Sequence, residues 1–227
     1  MASRRCSGRT NADLVANMHT ARIITTDKVD QAMTKVDRIN YVMHKSEAYE
    51  DSPQPIGHGA TISAPHMHAH AIEHLLDYLG PGKRVLDVGS GSGYLCAVLH
   101  HLVPDGVVVG IDHIPELVDW SKGNLRQDGL GSALDKGEIV IVTCDGRQGY
   151  SDLAQYDAIH VGAAAPTIPQ QLVDQLKSPG RMFIPVGTFA QQIIQVDKDE
   201  YGKVTRKNLM GVMYVPLTDA ERQQRGY

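Results

Sequence analysis

The chain has 227 residues, 26 of them acidic and 22 basic, for a formal net charge of −4; it offers no basic field to gather phosphate backbones, which argues against nucleic acid as a main partner. That length suits one sizeable α/β core, so residues 1–227 are expected to form a single domain. Cys6, Cys96 and Cys144 are odd in number, widely spaced and without a C-x-x-C pair, so neither a disulfide framework nor a thiolate zinc site is expected, and a reducing compartment, the cytosol, fits best.

Residues 1–10 carry Arg4, Arg5 and Arg9 and read as disordered. They lack an apolar h-region, and no apolar run anywhere reaches membrane-spanning length, so neither secretion nor membrane insertion is expected. An N-terminal helical region follows, over 11–80. Residues 11–17 and 26–36 have helical patterning, the second opening on Thr26 or Asp27 as cap. Residues 41–59 are polar and turn-rich.

In GATISAPHMHAHAIEHL, residues 59–75, Pro65 marks a helix start and leaves Ser63 at or next to the N-cap. Free backbone N–H groups and the positive end of the helix dipole favour an anion there; a plain capping role for Ser63 is the competing reading. The letters at 70–74 match H-x-x-E-H, a zinc-peptidase pattern. At about 100° per residue, however, Ile72, Leu75, Leu76 and Leu79 form one stripe with His68 in phase and pointing inward. His70, Glu73, His74 and Asp77 fall on the opposite side and read as solvated, so no metal site is expected.

From residue 84 onward, apolar runs alternate with helical patterns. The runs are RVLDV, VVVGI, EIVIV, YDAIHV and RMFIPV, and the helices fall at 94–102, 115–127 and 169–176, with Pro115 near the first position of its own. This alternation is the signature of a mostly parallel sheet covered on both faces, a doubly wound, Rossmann-like α/β fold with its core over 81–190. QQIIQVDKDEYGKV then reads as a strand entering a turn at Tyr201 and Gly202, and NLMGVMYV as its partner. The sheet is thus expected to end antiparallel within a last segment, 191–227. Thr218 looks like an N-cap for DAERQQ.

RVLDVGSGSGY, residues 84–94, is a strand followed by Gly89, Gly91 and Gly93 and then a helix. Glycines let a backbone turn tightly and approach a ligand at a strand's carboxyl end, beside a helix N-terminus. The dinucleotide pattern G-x-G-x-x-G would put Gly or Ala at position 94; here Tyr94 stands there and the third glycine comes one residue early, which argues against a dehydrogenase. Asp87 at the strand tip would repel a pyrophosphate and attract a cationic amino group. S-adenosylmethionine carries such an ammonium, and the 87–93 stretch resembles D-x-G-x-G-x-G, the nucleotide loop of Rossmann-type methyltransferases. Asp112 ends the next strand, where a carboxylate can accept both ribose hydroxyls. Asp145 follows the third strand, placed to accept from an adenine amino group. Taken singly, Asp112 also fits a cap for the helix at Pro115, and Asp145 a simple turn.

After the fourth strand comes HVGAAAP rather than the N-P-P-Y-like motif of amino-methylating nucleic acid enzymes. Together with DSPQPIGHGATISAPHMHA, LDVGSGSGY, GIDHIPELV, CDGRQGYSD and MGVMYVPLTD, it resembles the protein-L-isoaspartate (D-aspartate) O-methyltransferase family over residues 11–223. ATISAPHMHA is specific to that family.

The resemblance implies that the substrates are L-isoaspartyl and D-aspartyl residues in damaged proteins and peptides. S-adenosyl-L-methionine would be the methyl donor, S-adenosyl-L-homocysteine the product, and no metal would take part. The methyl ester recloses to a succinimide that can reopen to normal aspartate, so a repair role is implied. A carboxylate with a pKa near 4 is ionised at pH 7 and needs no general base, so catalysis should rest on orientation and exclusion of water. Ser63 is the residue expected to position it. Cofactor contacts carry over to Ala60, Thr61, Ile62, Ser63, His68, Ser92, Asp112, His113, Asp145, Gly146, Thr218 and Gln223, beside Asp87, Gly89 and Gly91 of the glycine loop. The last two carried-over positions imply a C-terminal segment folded back over the cofactor. Cys144, Tyr94 and Gln148 adjoin the motifs and receive no role. A monomer is the simplest expectation. Two rivals are a methyltransferase acting on another small carboxylate or hydroxyl substrate, against which ATISAPHMHA counts, and a non-catalytic binder of damaged polypeptides.

Overall fold

Helices α1 (Asn11–Thr20) and α2 (Asp27–Lys35) precede a short hairpin, β1 (Gln54–Pro55) and β2 (Thr61–Ile62), and helix α3 (Pro65–Leu75). There follow β3 (Arg84–Val88), α4 (Tyr94–Leu102), β4 (Val107–Asp112), α5 (Pro115–Gln127), α6 (Gly131–Asp135) and β5 (Ile139–Thr143). The chain continues through β6 (Tyr156–Val161), α7 (Gln170–Gln175), β7 (Leu176–Val186), β8 (Gln191–Lys198) and β9 (Val204–Val212). The structure, a computed structural model, describes residues 6–219 and 223.

β3 to β9 form one seven-stranded sheet in the order β5-β4-β3-β6-β7-β8-β9. The pairs from β5 to β7 are parallel, and β8 and β9 are added antiparallel. Successive side chains of a strand point to opposite faces. Val85, Val108, Ile139 and Ala158 accordingly enter one core, while Leu86, Val88, Val109, Ile111, Ile159 and Val161 enter the other. The first core is roofed by α1 to α6, through residues such as Leu14, Met33, Ile72, Leu99, Leu117 and Ala133. The second receives Leu172 and Val173 of α7, together with Tyr150, Leu153 and Leu217 from loops. Both faces are covered, as expected, but unequally. β3 pairs with β4 on one side and β6 on the other, so the winding reverses at β3 and a crevice opens above the carboxyl ends of β3 and β6.

Several local expectations are corrected. Residues 1–5 lie outside the described residues, but 6–10 are built into the fold: Cys6 is buried, Gly8 N donates to Tyr49 O, and Thr10 caps α1 in a reciprocal capping box with Asp13. The turn-rich 41–59 stretch buries Tyr41, Val42, Ala48 and Ile56. The helix expected at 169–176 is shorter, because Leu176 already pairs with Tyr156 and opens a long β7. The five-residue α6 was too short to leave a periodic signal. β9 begins earlier than NLMGVMYV and stops at Val212. Met213 to Val215 leave the sheet because Gln191 bonds both the N and O of Tyr214, and Ala164 bonds the O of Val215 and the N of Leu217. The helix expected at DAERQQ falls largely outside the described residues.

α3 has the expected phase but not the expected solvent face. Ala69, Ile72 and Leu75 are buried, and His68 points inward. On the other side, Glu73 is only partly exposed, and its carboxylate accepts from the backbone N–H groups and hydroxyls of Thr25 and Thr26 at 2.7–3.2 Å, serving the start of α2. His74 lies 5.9 Å from the ring of Phe183 on β7, and its backbone oxygen accepts from Arg181. The polar back of the helix is thus packed against α2 and the sheet. Among the described residues, no three His, Cys, Asp or Glu side chains are grouped to hold a metal ion, and no helix is long and apolar enough to cross a membrane.

Candidate active site

Three cavities join above the crevice. A cleft is lined by Ala60, Thr61, Gly89, Gly91, Asp112, His113, Gly146, Thr218 and Gln223. It shares Thr61, Gly89, Gly91 and Gly162 with a small central cavity, which also receives Ile62, Ser63, His68, Asp87, Ser92, Tyr94 and His160. Ser63 and Thr61 in turn line an outer groove of about 600 Å³, walled by Pro53, His66, Met67 and the 211–216 segment. Of the residues expected at the site, only Asp145 lines none of the three.

The glycine loop is held by backbone bonds from Gly89 N and Ser90 N to Ile111 O, and by Gly93 N to Ser90 O. Gly93 caps α4 at φ +82°, and a Cβ there would stand 3.2 Å from that of Ser121. Asp112 lines the cleft, and its carboxylate is bonded to backbone, Oδ2 accepting from Gly91 N at 3.1 Å and Oδ1 from Ile114 N at 3.0 Å; Ile114, not Asp112, is the N-cap of α5. Burial pushes its carboxyl pKa up, against those backbone bonds. Asp145 makes the turn: its carboxylate accepts from the backbone and guanidinium of Arg147, which draws its pKa down. Its neighbour Gly146 forms the cleft wall instead, and a Cβ there would fall 2.6 Å from Val88 Cγ1.

Asp87 is 1% exposed at the tip of β3. His160 Nδ1 meets its Oδ1 at 2.7 Å, and Cys96 Sγ donates to Oδ2 at 3.3 Å. Opposite, Ser63 stands one residue before Ala64, the N-cap of α3. Burial and the nearby Arg38 charge hold His68 well below the ordinary histidine range, so its ring is neutral at pH 7. Tyr214 of the outer groove has its phenol pushed up to about 12 by burial, with the neighbouring Ser63 side chain drawing it the other way. Gln223 closes on the cleft: its Oε1 bonds His113 Nε2 at 2.8 Å, and its amide donates to His58 O at 3.0 Å.

The sequence gives no site role to Arg38, Tyr94, His160 or Tyr214. Tyr94 was visible as a bulky departure from the dinucleotide pattern, and its ring packs 5.0 Å from His68 and 5.5 Å from Tyr41. His160 and Tyr214 lie in the quoted segments HVGAAAP and MGVMYVPLTD and Arg38 in none, but only pairing across the sheet or between segments shows what each does. His160, for example, lies in register with Asp87 on the adjacent strand.

A strand-tip carboxylate, a glycine loop and an N-terminal helical edge bearing Ser63 converge on one cavity. The family model described as Protein-L-isoaspartate(D-aspartate) O-methyltransferase (PCMT) matches residues 9–222. The chain belongs to this family. Protein-L-isoaspartate O-methyltransferase 1 of Arabidopsis thaliana is 49% identical over 217 residues, covering 95% of this chain and 94% of its own. The protein-L-isoaspartate O-methyltransferase of Caenorhabditis elegans is 45% identical over 222 residues, covering 96% and 97%. Among solved structures, the Plasmodium falciparum beta-aspartate methyltransferase (PCMT) in complex with S-adenosyl-L-homocysteine superposes with a TM-score of 0.86 at 33% identity, covering 93% of this chain and 99% of that one. The family's reaction is this chain's: S-adenosylmethionine-dependent methyl esterification of isoaspartyl residues in proteins, which initiates their repair.

Proposed function

We propose that the three cavities divide this reaction among them: the cleft holds the nucleoside of the cofactor, the central cavity its amino-acid end, and the outer groove the damaged polypeptide. The observation that carries this reading is that Ser63 lines both the central cavity and the groove, so a carboxylate entering from the groove meets the cofactor there. When bound, S-adenosylmethionine supplies an electrophilic methyl group on a sulfonium sulfur. The residues present suit it. Asp87, buried and held by His160 and Cys96, offers negative charge to an ammonium group. Asp112 stands at the cleft for the ribose hydroxyls, and Gly146 leaves room at its wall. Asp145 has its carboxylate turned to Arg147 and keeps an adenine contact only through a change of that pairing.

On the substrate side no residue has to remove a proton, because the carboxylate is already ionised at pH 7. Ser63 would orient it with its hydroxyl beside the N-terminal end of α3, where the positive end of the helix dipole favours an anion; the free N–H groups expected there are taken, His66 N by the Asp51 carboxylate and those of Met67 and His68 by Ala64 O. The lid made by Gln223, His113 and the 56–60 loop would exclude water from the charged pair. We extend the substrate class to D-aspartyl residues, whose carboxylate can reach the same place. We also take the chain to be monomeric and to work in the cytosol, which its free cysteines fit; recovery of the activity with a secreted fraction would overturn that location.

Labelled methyl transfer to synthetic peptides tests the reading. Base-labile label should enter an isoaspartyl peptide, and more slowly a D-aspartyl one, but not the normal aspartyl twin. Ser63→Ala should lower kcat by about tenfold or more while leaving S-adenosylhomocysteine affinity within about twofold. Equal labelling of isoaspartyl and aspartyl peptides, or an unchanged kcat in Ser63→Ala, would sink it.

A further inference from the structure

Arg38 lies on a short 3-10 turn (Arg38–Tyr41) after α2 and is wholly buried. Its Nη2 donates to the backbone oxygen of Ser63 at 2.8 Å, and its guanidinium carbon lies 5.4 Å from the centre of the Tyr94 ring. Nε and Nη1 are buried and have no hydrogen-bond partner among the described residues. Asp51, the carboxylate whose field reaches it, makes no ion pair with it: Asp51 Oδ1 is bonded to His66 Nδ1 at 2.7 Å, and its Oδ2 is buried without a hydrogen-bond partner among the described residues. Burial draws the guanidinium down to about 10, which leaves it charged at pH 7.

A buried guanidinium without a paired anion is unfavourable unless something negative visits it. Around it stand a neutral His68, the Ser63 backbone oxygen and the aromatic face of Tyr94. Among the described residues this guanidinium has no ion-pair partner, and its one hydrogen bond is to the backbone of the serine that faces the groove.

We propose that Arg38 is a positioning residue for the substrate carboxylate: it fixes the Ser63 backbone and supplies the positive field that selects an ionised carboxylate at that serine. This rests on the reading of Ser63 as the residue that holds the carboxylate. The field acts chiefly on the ground state. As the carboxylate takes the methyl group its negative charge disappears, so the attraction is strongest before transfer and absent from the neutral ester, which is thereby released. An interaction of this kind shows in KM more than in kcat.

The full chain with Arg38→Met and Arg38→Lys is compared with wild type on three readouts. They are KM and kcat for an isoaspartyl peptide, and the inhibition constant of the same peptide bearing a carboxamide in place of the carboxylate. Arg38→Met should raise KM about tenfold or more, with kcat within about threefold and the carboxamide constant within about twofold. Arg38→Lys should restore most of the KM. A KM and a carboxamide constant that rise together would mean only a displaced loop, and would overturn the proposal. Should Arg38→Met fail to fold, Arg38→Gln decides by the same ratio: loss of the carboxylate preference supports the proposal, and its retention overturns it. Ser63→Ala is the control that separates the two readings. If it lowers kcat while the Arg38 variants keep the carboxylate preference, only the role of Arg38 falls; if it changes nothing, the reading of Ser63 falls first.

Discussion

His68 shows how one residue takes its chemistry from its surroundings. Buried beside the Arg38 charge, it resists protonation in the folded chain, whereas in the unfolded chain it protonates as pH falls through about 6.5. Below that pH the unfolded state binds the extra proton, so the His68 contribution to stability is present above about 6.5 and is lost progressively as pH falls toward the depressed native value. Urea denaturation between pH 7 and 5.5 should show unfolding free energy falling with pH, and His68→Gln should reduce that slope, by an amount approaching the one-proton limit of about 1.4 kcal/mol per pH unit only at the acid end. An unchanged slope would remove His68 from the account. At this scale the sequence reading is uneven. Asp87, Asp112 and Ser63 announce themselves by motif, and His68 by its phase on α3. Arg38 gives no sign, and His160 only its place in HVGAAAP, because what distinguishes them is a partner 25 residues away at Ser63 for one and 73 residues away at Asp87 for the other.

At the scale of elements, α3 carries the clearest lesson. Its heptad-scale periodicity, with Ile72 and Leu75 on one side, is local information and is legible in the letters. What covers the other side is not local. Glu73 accepts four hydrogen bonds from the Thr25 and Thr26 pair that opens α2, so the glutamate of H-x-x-E-H fastens one helix to another. Glu73→Ala should leave these donors without their acceptor and lower stability by about 1–3 kcal/mol, read as a lower urea midpoint. The rate per folded molecule on an isoaspartyl peptide should not change, since Glu73 lines none of the three cavities. A midpoint equal to wild type would show those bonds to be idle. The same limit explains the ends of β7 and β9: both are set by bonds to other segments, from Tyr156 to Leu176 and from Gln191 to Tyr214.

At the scale of the whole molecule, the sheet has two edges, β5 and β9. β9 is the more exposed, and it carries Arg206 and Lys207 outward, charges of the kind that discourage edge-to-edge pairing of copies. Sedimentation at micromolar concentration should therefore give one species near the chain mass of 24.8 kDa; a dominant species of twice that mass would overturn the monomer.

The sequence by itself determined the order of elements, the parallel core with its antiparallel edge, the glycine loop with Asp87, and through ATISAPHMHA the family and reaction. These depend on period, turn chemistry and short motifs, all carried by residues near one another in the chain. Only the tertiary structure decided which carboxylates face the cleft, that Asp145 turns to Arg147, that Gln223 closes on His113, and that Arg38, with no ion-pair partner among the described residues, bonds the Ser63 backbone. Those outcomes follow from which buried polar groups find partners, and such partners come from distant segments that meet only when the crevice between β3 and β6 has formed.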